Sequence, residues 1–205
     1  MADAPHPSAS RVIDLYQRHA DAFDRDRSRT QYGQALFDRF AAMLPAQGRV
    51  LDLGCGHGEP VAAHLIGLGH RVTGVDSTPD FIALCRERFP EQEWIVGDMR
   101  ETQLGQRFDG VLAWDSFFHL AHDDQRAMFD VFEAHAAPGA PLMFNTGPGH
   151  GEAIGHWQGE PLYHASLSPE EYRELLDGAG FDIVEHAPDA QDAGGRTIWL
   201  ARRRA

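Results

Sequence analysis

The residues that could do chemistry in this 205-residue sequence fall at the ends of short apolar runs. The first such group is Asp52-Leu-Gly54-Cys55-Gly56-His-Gly58. Glycines there let a backbone turn sharply and approach a ligand without side-chain collision. Alone the cluster says little, because many loops have one. Asp76 ends the next apolar run, where a carboxylate can accept hydrogen bonds from two ribose hydroxyls. Asp98, in Gly97-Asp-Met-Arg100, follows the third run, again at the strand edge where open α/β sheets bind ligands. The fourth run leads into Trp114-Asp-Ser-Phe-Phe-His-Leu120. His119 is the best general-base candidate there, since an unperturbed imidazole titrates near ~6.5. Its alternative role is capping or packing at the start of the next helix. Asp115 is the second candidate, and its alternative is to shape the loop by hydrogen bonding. Phe117 and Phe118 read as core residues.

Asn145 to His164 is long, glycine-rich and dense in histidine and aromatic residues. It reads as a loop, and loops this long inside a compact domain are often functional. It follows the fifth run on the ligand-binding side, so His150, His156, Trp157, Tyr163 and His164 become candidate substrate contacts. The alternative is a solvated loop. The histidine spacings match no standard metal motif and no carboxylate set accompanies them, so no metal is expected.

These positions need a scaffold, and the pattern supplies one. Arg11 to Asp24 and Gln34 to Leu44 have helical spacing, the latter ended by Pro45 and Gly48. From Arg49, apolar runs at 50–53, 72–75, 94–96, 110–114 and 142–144 alternate with helices at about 59–68, 79–88 and 123–136. Such alternation argues for a parallel sheet with helices on both faces. Ser168-Pro-Glu-Glu171 is a capping box that starts a further helix. Two final runs, 181–187 and 197–202, have only a turn-rich connection between them and should pair antiparallel. The expected fold is α/β, a doubly wound seven-stranded sheet, mostly parallel with a C-terminal antiparallel hairpin. Residues 1–10, rich in Ala, Pro and Ser, are expected to be mobile. Residues 11–205 are expected to form one domain, with a helical segment at 11–48 and the core at 49–205.

The bulk numbers exclude some classes. Hydrophobic residues make up 42% and charged residues 24%, an ordinary globular balance. The net charge of −13 repels phosphate backbones, so no nucleic-acid partner is expected. Two cysteines without metal or redox spacing, and no leader-like or membrane-spanning stretch, point to a cytoplasmic protein without membrane contact. A monomer or homodimer is expected.

The set Val50–Gly58, Gly74-Val-Asp-Ser-Thr-Pro-Asp-Phe81, Gly97-Asp-Met99 and Phe108-Asp-Gly-Val-Leu-Ala-Trp-Asp115 resembles the ordered motifs of class I (Rossmann-like) S-adenosylmethionine-dependent methyltransferases of the small-molecule type. The resemblance spans roughly residues 45 to 202. It implies transfer of a methyl group from S-adenosylmethionine, with S-adenosylhomocysteine as product. By it, Gly54 and Gly56 line the methionine part of the cofactor and Asp52 orients its amino group. Asp76 holds the ribose, Asp98 the adenine amino group, and Met99 packs on the adenine. Trp114 lies beside the methionine arm, and Cys55 and Ser77 complete the contacts. The N-terminal segment with Tyr16 resembles the leading helix that folds over the cofactor as a lid. Its spacing with His19 and Phe23 is equally explained by packing.

Two other readings remain at this level: a nucleoside-binding protein without transferase activity, and a nicotinamide-dependent Rossmann oxidoreductase. The latter fingerprint wants glycine where Glu59 stands, and a carboxylate there would repel a pyrophosphate. A small metabolite is the expected acceptor, because the motifs of DNA-amino and cytosine-C5 methyltransferases are missing.

Overall fold

The computed structural model describes residues 5–26 and 33–205 of the chain. Seven strands form one sheet: β1 (Arg49–Leu53), β2 (Arg71–Asp76), β3 (Glu93–Val96), β4 (Gly110–Ala113), β5 (Pro141–Thr146), and the last two, β8 (Phe181–Ala190) and β9 (Arg196–Arg203). Their order is β3-β2-β1-β4-β5-β9-β8. The first five strands run parallel, and β9 pairs antiparallel with both β5 and β8. The expected sheet is therefore present, terminal hairpin included.

Burial explains why the central runs read as continuous apolar stretches. All six residues of β5 and all four of β4 are buried, as parallel strands covered on both faces must be. One face packs α6 (His122–His135) and α7 (Pro169–Gly178) through Phe117, Phe132, Phe144, Tyr172 and Trp199. The other packs α3 (Gln34–Ala42), α4 (Val61–Gly67) and α5 (Pro79–Arg88) through Phe37, Phe40, Leu65, Ile82 and Leu112. The helix signals behave as expected: Ser168 Oγ accepts the Glu171 N–H at 3.2 Å, and Pro79 opens α5 after Thr78.

Four local expectations need correction. The first helix is broken at His19, whose φ of −116° and ψ of 24° are not helical, into α1 (Val12–Arg18) and α2 (Ala20–Asp26). The helix expected from Glu59 begins at Val61, because the glycine loop holds Gly58 at φ +83° and its turn continues through Pro60. Within the first ten residues, expected to be mobile, Pro5, His6 and Pro7 are exposed, but Ser8 is buried and Ala9–Arg11 form a 3-10 turn. Residues 1–4 lie outside the described residues. The largest difference is the supposed loop after β5. It is an antiparallel hairpin, β6 (Gly151–Trp157) and β7 (Glu160–Ser166), forming a separate two-stranded sheet. Its turn, Gln158-Gly159, has φ of +51° and +77°, the primed geometry that matches strand twist.

Candidate active site

The C-terminal ends of β1, β2 and β4 meet at a cavity of about 380 Å³, within the size range of small-molecule sites. Chain direction builds its floor. Gly54 and Cys55 both donate their N–H groups to the Val75 carbonyl, at 2.8 and 3.1 Å, which clamps the loop after β1 to the end of β2. Gly54 has φ +75°, and a Cβ placed on it would stand 2.3 Å from Ser116 Cβ and 2.8 Å from Met99 Cε. Only glycine fits there. Ser116 is fixed in turn by donating to the Leu53 carbonyl at 2.8 Å.

Asp76 closes this arrangement. Its Oδ2 accepts the Gly56 N–H at 2.9 Å and its Oδ1 the Thr78 N–H at 2.8 Å. Each oxygen keeps acceptor capacity, which suits a pair of ribose hydroxyls. Burial pushes the Asp76 carboxyl up, against the pull of those backbone bonds. Asp52, 3% exposed, is pushed up to about 7 by burial first and by the neighbouring Asp76 second. A buried carboxyl and a half-buried one facing one cavity suit a ligand that brings hydroxyls and positive charge.

The remaining sequence candidates divide clearly. Tyr16, Asp52, Gly54, Cys55, Gly56, Asp76, Ser77, Asp98, Met99, Trp114, Asp115 and His119 all line this cavity. Asp98 caps its own 3-10 turn and takes two hydrogen bonds from Arg100 Nε. Burial raises its carboxyl, and those bonds outweigh burial and hold it below its ordinary value. Trp114 stacks edge-on with Phe37 at 4.8 Å and so is half wall, half core.

Asp115 has φ +51° and its carboxylate grips Arg196 of β9 in two bonds, 2.6 and 2.8 Å. Asn145 adds a reciprocal pair, donating to Asp115 Oδ1 and accepting its N–H. These are bonds that shape a loop. Neither Arg196 nor Asn145 was singled out in the sequence as a partner, since they lie 81 and 30 residues away.

His119 is held at both ring nitrogens. Nδ1 lies 2.8 Å from the Tyr163 carbonyl, which can only accept, so Nδ1 carries a proton. In the neutral ring Nε2 is then an acceptor, and the Tyr16 hydroxyl donates to it at 3.0 Å. Tyr16 reaches this point because α1 lies across the cavity. Its ring contacts Phe23, Phe81 and Trp157 at 5.6, 6.4 and 5.4 Å. The segment is tied down at its end by Glu160, which pairs with Arg18 at 2.6 Å and His19 at 2.8 Å. Asp24 of α2 pairs with Arg88 at 2.6 Å, next to the buried His57 of the glycine loop.

The hairpin candidates have other positions. None of His150, His156, Trp157, Tyr163 and His164 is among the cavity-lining residues. Trp157 packs behind Tyr16. Tyr163 is fully buried and donates its hydroxyl to Glu152 at 2.6 Å. His164 stacks on His119 with ring centres 4.9 Å apart, and His150 stacks on His122 at 4.5 Å. His156 is exposed, opposite Pro161. The physical reason is the hairpin itself, which lies behind α1 and not in the crevice. Among the described residues no group of three or more His, Cys, Asp or Glu could hold a metal ion, and no helix is long and apolar enough to cross a membrane. Cys55 and Cys85 are free and buried.

Sheet order, antiparallel last strand and a crevice at the β1–β2–β4 ends are those of the class I methyltransferase fold. Residues 50–139 match the family described as methyltransferase domain. The arsenite methyltransferase of Halobacterium salinarum is 27% identical over 176 residues, covering 80% of this chain and 44% of that protein. The dTDP-3-amino-3,6-dideoxy-alpha-D-glucopyranose N,N-dimethyltransferase of Streptomyces fradiae is 34% identical over 96 residues, 46% of this chain and 37% of that one. The chain thus spans less than half the length of these relatives. Among solved structures, the S-adenosylmethionine-bound CalS10, an amino pentose methyltransferase from Micromonospora echinaspora, superposes with a TM-score of 0.69 at 22% identity, over 91% of this chain and 96% of that one. That likeness is one of fold.

Proposed function

We propose that the chain transfers a methyl group from S-adenosylmethionine to a small-molecule acceptor, releasing S-adenosylhomocysteine. The observation that carries this reading is Asp76, half-buried at the end of β2, facing the same cavity as the glycine backbone at Gly54 and Gly56. Asp76 holds the ribose hydroxyls, Asp98 and Met99 the adenine, and Gly54, Gly56, Asp52 and Trp114 the methionine part. Cys55 and Ser77 complete this wall. When bound, the cofactor supplies a methyl group already activated by a sulfonium, so alignment provides most of the rate.

The chain's own proton path is Tyr16 to His119. An acceptor arriving as a hydroxyl or ammonium gives its proton to the Tyr16 oxygen as the Tyr16 proton moves to His119 Nε2. Asp115, engaged by Arg196 and Asn145, positions the loop that presents His119 and is not a base. The enzyme acts as a single domain over residues 11–205, as a monomer or homodimer, in the cytoplasm. Calorimetry with S-adenosylmethionine, S-adenosylhomocysteine and NAD tests the cofactor; binding of NAD alone would sink the assignment. A metabolite library with labelled methyl donor then tests turnover, and full activity of His119→Ala on the acceptor it identifies would remove the base.

A further inference from the structure

We infer that the β6–β7 hairpin, which does not reach the cavity, is the positioning element of the base: the Tyr163 carbonyl fixes His119 in the Nδ1-protonated form, and Glu152 holds Tyr163 in place. The inference rests on the assignment of His119 above. An imidazole has two neutral forms, and only one leaves a lone pair on the nitrogen that meets Tyr16. The choice is made by what the other nitrogen touches, and here that is a carbonyl at 2.8 Å. A carbonyl cannot donate, so it enforces Nδ1–H.

The carbonyl must itself be held. Tyr163 is fully buried against Val12 and Ala165, and its hydroxyl donates to Glu152 Oε1 at 2.6 Å. Burial and Glu152 push the Tyr163 phenol far up, so it remains a donor throughout the working range. Glu152 Oε2 accepts the His6 N–H at 3.3 Å, which joins the N-terminal segment to the same point. The His164 ring lies on His119 at 31° and contacts Phe118 at 5.3 Å, restricting rotation of the base. The hairpin is anchored to α6 by Gln125, whose Nε2 donates to the Ala165 carbonyl at 2.9 Å. Three features of one hairpin therefore converge on one imidazole: a carbonyl on its nitrogen, a ring on its face, and a carboxylate that locks the carbonyl's residue.

The test uses the full chain loaded with S-adenosylhomocysteine and labelled with 15N-histidine, the His119 signals being assigned by their loss in His119→Gln. At pH 8 the wild type is expected to show a protonated Nδ1 and an unprotonated Nε2. Glu152→Ala and Tyr163→Phe are expected to give a mixture of the two neutral forms. They lower kcat about tenfold, the usual scale for partners that orient an active group, with the KM for S-adenosylmethionine unchanged. Glu152→Gln, which still accepts a hydrogen bond, restores both. A wild-type His119 protonated on Nε2 overturns the inference. So does an unaltered tautomer in both Glu152→Ala and Tyr163→Phe, whatever happens to kcat. A shifted tautomer with full kcat leaves the hairpin's hold on the ring standing and overturns the base assignment instead, so the two failures are told apart.

Discussion

Asp52 and Asp76 show how a single residue's environment becomes a measurable property. Asp52 stands at about 7 because burial and Asp76 both disfavour its charge. A carboxyl raised in the folded state adds most to stability while protonated. Its contribution is full below the unfolded value near ~4 and declines as pH rises towards 7. A cationic ligand needs the ionised form, so affinity for S-adenosylmethionine should rise with pH through about 7, with proton release detectable as a buffer-dependent binding enthalpy. Asp52→Asn should abolish that dependence. Asp76→Ala removes the acceptor for the Gly56 and Thr78 N–H groups as well as for the ribose. Calorimetry should show affinity lower by about 10–100-fold, and intact binding would disprove the ribose role. Gly54→Ala is a different kind of lesion: a Cβ at φ +75°, 2.3 Å from Ser116 Cβ, cannot be accommodated without moving the loop. Denaturant melts should register about 2–3 kcal/mol.

At the scale of elements, ion pairs of different burial hold the cover over the cavity and the loop beneath it. Glu160 links the hairpin turn to α1 through the exposed Arg18 and the partly exposed His19. Such pairs add little to global stability. Glu160→Ala should leave the melting temperature unchanged while amide exchange across residues 12–26 accelerates; equal protection in both proteins would show that the Glu160 pairs do not hold the segment. The Asp115–Arg196 pair is the opposite case, with the Asp115 side chain 9% exposed and the Arg196 side chain 27%. Arg196→Met strands a buried carboxylate in a left-handed turn and should cost about 2 kcal/mol, below the figure for full burial because arginine is partly solvated. Both elements were only partly legible. Helical periodicity marked residues 11–24 but not the break at His19, since both halves keep the same apolar face. From sequence the hairpin reads as a loop, because its strands lack clean alternation, and burial runs irregularly through both. The sign that could have revealed it was Gln158-Gly159, a two-residue primed turn between Trp157 and Glu160.

For the whole molecule, ligand binding and folding share one equilibrium. A cofactor that binds only the folded chain stabilises it by about 2.7 kcal/mol at a hundredfold excess over Kd. For a domain of this length that raises Tm by roughly 5–10 °C. S-adenosylmethionine and S-adenosylhomocysteine should both produce the shift in differential scanning fluorimetry, and NAD should not. The doubly wound sheet places the glycine loop, Asp76 and Asp98 at one edge, and α1 lies across the cavity they line.

The sequence by itself determined the sheet, the glycine loop and the two aspartates at strand ends. The reason is locality: apolar runs fix strands, and a positive-φ turn with its carboxylate partner follows from a few neighbouring residues and the parallel topology. Only the tertiary structure decided that Tyr16 meets His119 across 103 positions, that Arg196 engages Asp115 across 81, and that His164 lies against the His119 ring. Those contacts depend on how separate elements dock, and docking is set by shape and burial summed over many residues, which no local pattern records.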